Sequence, residues 1–349
     1  MDKIKVLIVD DSAFVRKSLQ KIIDESNVAE VLSTAADPYF AVKKIQQQKP
    51  DVISLDIQMP RMDGITFLKK IMSQHPIPVV IVSTLTKKES NIALEAYKNG
   101  ATEVLEKPDL FNETLINKWK RTFLDAIKTA HYSNLGNINK AKFNIIARPD
   151  KQPRLINRNP DKVILIGSSA GGTEVVNKIL ANLDQNTLPI AIVQHMPAKF
   201  TYSYAERLNR TSEITVSEAR SGDIMKYGNA YVSPGDKHLI INKKASQYIL
   251  KTTDGEKRNR YRPSVDVLFE SAVNFNGENI MAIILSGMGN DGSSSMMTLK
   301  NNGALTVAQD KNSCIVYGMP RSAYESGAAS YSLSIEKIIE TIKRFSNKQ

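Results

Sequence analysis

The chain has 349 residues, of which 42% are hydrophobic and 24% are charged. This composition is typical of globular proteins, and the length favours two domains. No apolar run approaches the roughly 20 residues that span a bilayer, so we expect no membrane insertion. The single cysteine, Cys314, excludes an internal disulfide and favours a cytoplasmic location.

The net charge of +11 is unevenly distributed along the chain, because residues 126–162 alone hold eight basic and two acidic side chains. This segment is rich in Asn, Pro and Lys/Arg and has little helical or strand periodicity. It contains no recognisable nucleic-acid-binding motif. We therefore interpret residues 126–161 as a basic linker and expect no nucleic-acid partner.

The first 125 residues alternate between apolar strands and amphipathic helices about five times, which predicts a parallel sheet with helices on both faces. The predicted strands are Ile4–Asp10, Val28–Ala35, Val52–Leu55, Val79–Val82 and Glu103–Leu105. In sheets of this kind, functional side chains lie at the carboxyl ends of the strands.

Polar side chains follow four of these strands. They are Asp10 and Asp11 after the first strand, Asp56 after the third, Ser83 and Thr84 after the fourth, and Lys107 after the fifth. Each acidic residue alone is compatible with a helix cap. Clustered carboxylates require a cation, however, and hard oxygen ligands suit Mg²⁺. With a lysine and a hydroxyl nearby, the set favours a carboxylate that accepts a phosphoryl group.

The stretches DD, LDIQMPRMDG and EKP resemble a response-regulator receiver domain over residues 1–125. The resemblance implies that Asp56 is phosphorylated and holds Mg²⁺ together with Asp10 and Asp11. It implies that Lys107 is the lysine of the family pattern and that Ser83, or its neighbour Thr84, is the hydroxyl residue that contacts the phosphate. Many receivers carry an aromatic switch residue three positions before the lysine, and this chain has Val104 there.

A second alternation of strands and helices begins at Lys162. The predicted strands are Val163–Ile166, Ile190–Gln194, Ile280–Leu285 and Ala304–Ala308, and the predicted helices include Thr173–Leu183 and Ala198–Asn209. Short turn-rich segments between them predict a small antiparallel insert, formed by Ile214–Glu218, Ala230–Val232, His238–Ile241 and Tyr248–Lys251. We expect a doubly wound α/β domain that carries this insert.

The glycine-rich stretch GSSAGG, residues 167–172, directly follows the first of these strands. A dinucleotide fingerprint would need glycine at Ser169, and a phosphate-binding P-loop would need lysine at Thr173. The pattern G-x-S-x-G does fit, and it places Ser169 on a tight strand-to-helix turn, as in enzymes with a nucleophilic serine. The alternative is a glycine-rich turn whose serine only caps the helix.

A nucleophilic serine needs a base and an acid that orients the base. His195 ends the next apolar strand, and Asp291 follows the strand Ile280–Leu285. Taken singly, His195 is compatible with a structural histidine and Asp291 with a helix cap. Three such residues at neighbouring strand ends favour acyl transfer. The chain order Ser, His, Asp differs from that of ordinary α/β-hydrolases.

The stretches GSSAGGTE, VQHMP, PSVDVLFESA, SGMGNDG and SCIVYGMPRSA resemble the catalytic domain of the CheB family of chemotaxis methylesterases, and residues 162–349 are therefore expected to form that domain. The resemblance implies hydrolysis of glutamyl methyl esters on methyl-accepting chemoreceptors, glutamine deamidation, phosphorylation by the chemotaxis histidine kinase, and no cofactor for the esterase reaction. It also implies that the receiver blocks the esterase cleft until Asp56 is phosphorylated.

By the same resemblance, Ser169 is the nucleophile, His195 the general base and Asp291 the orienting acid. The backbone N–H groups of Ala170 and Met288 are candidate oxyanion donors. Family members commonly read G-A-S-T-G-G, so Ser168 and Ala170 are departures from the pattern. Two other functions stay open at this point: a receiver-controlled adaptor without catalysis, and a hydrolase for a small-molecule ester.

Overall fold

The computed structural model describes residues 2–84, 90–108, 112–138 and 160–347. The chain divides into two compact units, Met1–Leu135 and Gly136–Gln349. Most of the predicted linker, residues 139–159, lies outside the described residues. Residues 126–131, which the sequence analysis assigned to the linker, form the end of a helix instead. Within the described residues, no helix is both long and apolar enough to cross a membrane.

The first unit is a five-stranded parallel sheet whose strands alternate with five helices. The strands are β1 (Ile4–Val9), β2 (Ala29–Ala35), β3 (Val52–Leu55), β4 (Val79–Ser83) and β5 (Glu103–Glu106). The helices are α1 (Ala13–Asp24), α2 (Pro38–Gln47), α3 (Gly64–Gln74), α4 (Ser90–Lys98) and α5 (Glu113–His131). Each strand agrees with its predicted bounds within one residue.

The strand order in this sheet is β2-β1-β3-β4-β5. Strands β1, β3 and β4 are almost entirely buried runs of Val, Ile and Leu, as expected where helices cover both faces of a parallel sheet. The carboxyl ends of β1 and β3 lie side by side, because Val9 pairs with Leu55 in the parallel register. The first residues after these two strands therefore face the same edge of the sheet.

The second unit contains a seven-stranded parallel sheet, a separate hairpin and six α-helices within the described residues. The sheet consists of β6 (Val163–Ser168), β7 (Ile190–Gln194), β8 (Thr215–Glu218), β9 (Asn229–Val232), β12 (Ile280–Ile284), β13 (Leu305–Gln309) and β14 (Tyr331–Leu333). The helices are α6 (Thr173–Leu180), α7 (Ala198–Thr211), α8 (Val265–Glu270), α9 (Ser293–Asn301), α10 (Met319–Glu325) and α11 (Ile335–Asn347). The antiparallel hairpin consists of β10 (His238–Lys244) and β11 (Gln247–Thr253).

The expected architecture is confirmed, but the insert is smaller than predicted. Only the hairpin β10–β11 is antiparallel, whereas the segments predicted as Ile214–Glu218 and Ala230–Val232 join the main sheet as parallel strands. Their placement depends on β9 pairing with β7. This pairing is not encoded locally in either short strand.

The sheet order β14-β13-β12-β6-β7-β9-β8 places a topological switch point at β6. From β6 the chain builds one half of the sheet through β7, and it later returns to the other side of β6 through β12. Ligand sites of open α/β sheets lie at the carboxyl edge beside such a point. The loops after β6, β7 and β12 meet there.

Candidate active site and phosphorylation site

Ser169 lies on a tight turn between β6 and α6, and backbone hydrogen bonds fix the position of this turn. Ser169 N donates to Ser286 O at 3.0 Å, and Gly172 N donates to Ser169 O at 2.9 Å. Gly171 adopts φ of +70°, the left-handed region in which glycine carries no Cβ penalty. The turn therefore requires glycine where the sequence has it.

A second glycine gives the Ser169 side chain its space. A Cβ added to Gly287, in the loop after β12, would lie 2.7 Å from Ser169 Cβ and 2.5 Å from Met319 Sδ. Real Cβ atoms are not found so close to other atoms. The SGMG stretch after β12 thus packs directly against the serine turn, and any side chain at Gly287 would displace Ser169.

His195 pairs with Asp291 through the imidazole atom Nε2, which donates to Asp291 Oδ2 at 2.9 Å. A carboxylate only accepts hydrogen bonds, so Nε2 carries the proton in the neutral ring and Nδ1 is the unprotonated nitrogen. Nδ1 is buried and has no hydrogen-bond partner within the described part of the chain. The backbone of His195 lies beside the serine turn, because His195 N donates to Ser168 O at 3.0 Å.

The carboxylate of Asp291 is almost fully buried and accepts hydrogen bonds from five donors. They are His195 Nε2 and Val265 N to Oδ2, and Ser264 Oγ, Asn259 Nδ2 and Asp266 N to Oδ1. Burial alone would raise the pKa of Asp291, but the hydrogen bonds from His195, Asn259 and Val265 N lower it to about 2. Asp291 is therefore ionised at neutral pH.

Two backbone groups were predicted as oxyanion donors. Among the described residues, Ala170 N–H donates no hydrogen bond, while Ala170 O accepts one from Ser286 Oγ at 2.8 Å. Met288 lies next to Gly287, in the loop that packs on the serine turn. Ala170 lies just before α6, whose N-terminal partial charge favours negative charge in this region.

Ser168, the other serine of the GSSAGG stretch, is the last residue of β6 and is completely buried. No hydrogen-bond partner for its Oγ is present among the residues that the structure describes. A Cβ added to Gly172 would lie 1.8 Å from this oxygen, so the hydroxyl fills the space beneath the turn. The Ser168 hydroxyl is thus enclosed by protein atoms, and a substrate cannot reach it.

In the first unit, the residues predicted at the strand ends lie together around Asp56. Ser83 Oγ donates to Asp56 Oδ1 at 2.7 Å, and Lys107 Nζ lies 2.7 Å from Asp56 Oδ2. The Thr84 hydroxyl instead contacts Gln58 Oε1 at 3.3 Å. Of the two candidate hydroxyls, the structure therefore places that of Ser83 against the carboxylate.

Lys107 connects two buried carboxylates, since its Nζ also lies 2.7 Å from Asp10 Oδ2. Burial alone would lower the pKa of Lys107, but hydrogen bonds to Asp10 and Asp56 raise it above its usual value. Burial raises the pKa of Asp10, and the nearby Asp56 charge adds to this shift while Lys107 opposes it. The cluster holds more negative charge than a single lysine neutralises.

A divalent cation would supply the missing charge. Asp10, Asp11 and Asp56 each offer a carboxylate oxygen, and these oxygens lie within 4.8 Å of one another. Hard oxygen donors with one exposed side for water fit the coordination that Mg²⁺ prefers. Asp11 is the exposed member of the three, whereas Asp10 and Asp56 are buried.

Val104, at the position where many receivers have an aromatic residue, is buried in β5. Its backbone N donates to the hydroxyl of Tyr97, a buried residue of α4, at 3.3 Å. An aromatic side chain thus lies beside this strand, although it comes from the neighbouring helix.

The sequence analysis missed the residues that surround the His195–Asp291 pair. The Tyr261 ring stacks on the imidazole of His195 with centroids 3.7 Å apart and an interplanar angle of 6°. Asn259 and Ser264 donate to Asp291. The stretch RNRYRPS contains all three residues, but it lies on a loop and shows no periodicity. Its last two residues, Pro263 and Ser264, begin the PSVDVLFESA stretch, so Ser264 lies within a stretch already noted, whereas no sequence pattern pointed to Asn259 or Tyr261.

Comparisons with known proteins identify the family of the chain. The family model of the CheB methylesterase matches residues 164–342, and that of the response regulator receiver domain matches residues 6–118. A protein-glutamate methylesterase/protein-glutamine glutaminase of Geobacter metallireducens is 42% identical, and the match covers 99% of each chain. The chain belongs to the CheB methylesterase family.

Further relatives support the same membership. Another protein-glutamate methylesterase/protein-glutamine glutaminase, from Oleidesulfovibrio alaskensis, is 42% identical over 99% of both chains. The crystal structure of the Thermotoga maritima CheB methylesterase catalytic domain is 40% identical and gives a TM-score of 0.51, covering 52% of this chain and 97% of that one. The second unit therefore has the fold of a CheB catalytic domain, and the first unit is a receiver.

Proposed function

We propose that this protein is a phosphorylation-activated protein-glutamate methylesterase that also deamidates glutamine side chains, acts on chemoreceptors and thereby contributes to chemotactic adaptation. The observation that carries the proposal is the meeting of Ser169, His195 and Asp291 at three neighbouring strand ends beside the switch point of the sheet. A buried, ionised aspartate holds the imidazole there with one nitrogen unprotonated. Nδ1 has no hydrogen-bond partner among the described residues, so we infer that it is the nitrogen that accepts the proton of the Ser169 hydroxyl.

The reaction follows from the roles of these three residues. Ser169 Oγ attacks the side-chain carbonyl carbon of a glutamyl methyl ester, and His195 Nδ1 takes the hydroxyl proton. When the C–O bond to the methoxy group breaks, His195 returns the proton and methanol leaves. Water then attacks the acyl-enzyme by the reverse route and releases glutamate. With a glutamine side chain, ammonia leaves instead of methanol and the product is the same.

The negative oxygen that forms at the carbonyl needs backbone donors. The Ala170 N–H donates no hydrogen bond among the described residues, and it lies two residues before the N-cap Gly172 of α6, near the partial positive charge of the helix N-terminus. We assign it as one donor and Met288 N–H as the second. A backbone donor does not depend on the side chain, so the replacement of the common threonine by Ala170 leaves this role intact.

Regulation is assigned to the receiver. Asp56 accepts the phosphoryl group from a chemotaxis histidine kinase, Ser83 and Lys107 contact the phosphorylated side chain, and Asp10 and Asp11 together with Asp56 hold Mg²⁺. The ion supplies positive charge for the transferring group, and no cofactor is assigned to the esterase reaction. The substrates are methyl-accepting chemoreceptors. We place the reaction in the cytoplasm, because phosphorylation by a histidine kinase and a single unpaired cysteine both fit that compartment.

Methanol release from methylated receptor fragments tests the proposal. Wild type and Ser169→Ala are compared with and without acetyl phosphate as the phosphodonor. We expect release that requires Ser169 and increases with the phosphodonor. Absence of Ser169-dependent release would favour the adaptor reading. Hydrolysis of simple esters without any release from receptor fragments would favour a small-molecule esterase.

A further inference from the structure

A short turn beside the active site contacts both members of the His195–Asp291 pair. Arg258 and Tyr261 exchange backbone hydrogen bonds, with Tyr261 N donating to Arg258 O at 2.8 Å and Arg258 N donating to Tyr261 O at 3.1 Å. The two residues between them, Asn259 and Arg260, have φ of 51° and 73°. Such turns favour asparagine, and the left-handed conformation is unfavourable for arginine by roughly 1 kcal/mol or more.

The strained turn presents two side chains to the pair. Asn259 Nδ2 donates to Asp291 Oδ1 at 2.9 Å, and the Tyr261 ring lies parallel to the imidazole of His195. Residues 259 and 261 therefore contact the acid and the base from one rigid segment.

The amide of Asn259 also connects Asp291 with a second buried carboxylate. Asn259 Nδ2 donates to Asp266 Oδ2 at 2.7 Å, and Asp266 N donates to Asp291 Oδ1 at 3.2 Å. Asp266 Oδ1 accepts a further hydrogen bond from Ser295 N at the start of α9. The single amide group thus places one N–H on each carboxylate, and it carries no charge that would compete with His195 for Asp291.

Contacts on both sides hold the segment that carries the turn. Arg262 donates to Asp236 Oδ1 and to the carbonyl oxygens of Asp254 and Gly255. His238, a buried residue of β10, contacts Glu256 O through Nε2 at 2.8 Å, and its Nδ1 accepts from Ser264 N at 3.2 Å. The turn is thus part of a fixed scaffold.

We propose that Asn259 is a positioning residue, which sets the orientation of Asp291 and through it that of His195. The proposal rests on the proposed function, since it assumes that this pair activates Ser169. Loss of the amide leaves Asp291 buried and ionised with four donors, but removes the one group that also holds Asp266 and belongs to the same turn as Tyr261. The imidazole then samples orientations that do not serve Ser169, which affects the chemical step rather than substrate binding.

The test uses the full-length protein with the phosphodonor and measures methanol release from methylated receptor fragments. Asn259→Gly removes the amide and keeps a residue that tolerates the left-handed backbone. A misplacement of about 1 Å costs roughly 100-fold, so we expect kcat to fall about 10- to 100-fold while KM changes less than about twofold. Asn302→Gly is the control, because Asn302 is exposed and lies outside the site, where its amide donates to Val273 O.

Asn259→Asp gives a second readout, because it keeps the shape of the side chain but removes both N–H donors. Its ionised carboxylate cannot donate to Asp291 or Asp266, so we expect kcat to fall at least as far as in Asn259→Gly. The added negative charge also favours the protonated imidazole, so the acid limb of the kcat/KM profile should move to higher pH. Asn259→Gly should leave that limb in place.

The outcomes distinguish a failure of the proposed function from a failure of the positioning role of Asn259. If wild type shows no Ser169-dependent release, the proposed function is wrong. If wild type is active and both Asn259 variants retain wild-type kcat and pH profile, the positioning role is wrong. Circular dichroism sets the assay temperature below the unfolding transition of each variant, and Asn259→Asp retains the shape of the turn should the glycine variant fail to fold.

Discussion

Replacing Asp291 by asparagine tests the central pair. The new NH₂ group faces donors wherever it points. At the Oδ1 position it would meet three donors, and at the Oδ2 position it would meet two, namely Val265 N and His195 Nε2. We therefore expect the NH₂ group at the Oδ2 position. His195 must then accept at Nε2, so its proton moves to Nδ1, the nitrogen that takes the serine proton in the proposed mechanism.

The expected loss is large in rate and moderate in stability. In Ser-His-Asp proteases the same change of tautomer lowers kcat about 10⁴-fold, which corresponds to about 5.5 kcal/mol in activation free energy. The Val265 N–H loses its acceptor in a buried site, and an unsatisfied group of this kind costs about 1–3 kcal/mol of unfolding free energy. KM should change little, since Asp291 does not face the substrate.

Steady-state methanol release with a phosphodonor measures the rate, and urea unfolding measures the stability. Asp310→Asn is a matched control, because Asp310 also follows a strand of the same sheet but accepts from Ser313 within its own loop. We expect this control to stay within about twofold of wild type. A folded Asp291→Asn protein that keeps more than a tenth of the wild-type kcat would show that the tautomer argument is wrong.

Three further predictions follow from the same structure. Ser168→Ala should raise the unfolding free energy by about 1 kcal/mol, because it removes a buried unsatisfied hydroxyl, and it should keep esterase activity, whereas Ser169→Ala should abolish it; equal losses in both variants would contradict this. Asp291 has a folded-state pKa of about 2 against an ordinary value of 3.8, so its ionisation stabilises the fold fully above about pH 4 and no longer does so once the pH falls through 2. The difference in unfolding free energy between wild type and Asp291→Asn should therefore shrink from pH 5 to pH 2, as measured by urea unfolding. Residues 152–349 alone should exceed the rate of the unphosphorylated full-length protein, and Asp56→Asn should make the full-length protein insensitive to acetyl phosphate; a fragment no faster than the unphosphorylated protein would rule out inhibition by the receiver.

The sequence was sufficient for those parts of the fold that depend on local patterns. The strands of the receiver and those before Ser169, His195 and Asp291 are apolar runs followed by polar residues, and a parallel sheet brings such strand ends together. The clustering around Asp56 follows from the same rule. These residues could therefore be selected before any geometry was known.

Other features depend on contacts between distant parts of the chain. Strand β14 has three residues and is identified by its pairing with β13. Strands β8 and β9 looked like part of the insert because their pattern does not show which neighbour they pair with. Asn259 precedes Asp291 by 32 positions, and the choice of Nε2 by His195 depends on how the folded loop orients the ring. Nothing in the sequence around these residues specifies that.

The proposed active site spans the switch point of the sheet, so the recovery of esterase activity reports when the two halves of the sheet come together during refolding. Strand β6 pairs with β12, so Val163 lies opposite Ile280, and the chain between them forms β7, β8, β9 and the hairpin before it returns. Contacts this far apart in sequence form slowly compared with local helices. During refolding, the helical signal in circular dichroism should thus recover before methanol release does, and the delay between the two would time the closure of the sheet around β6.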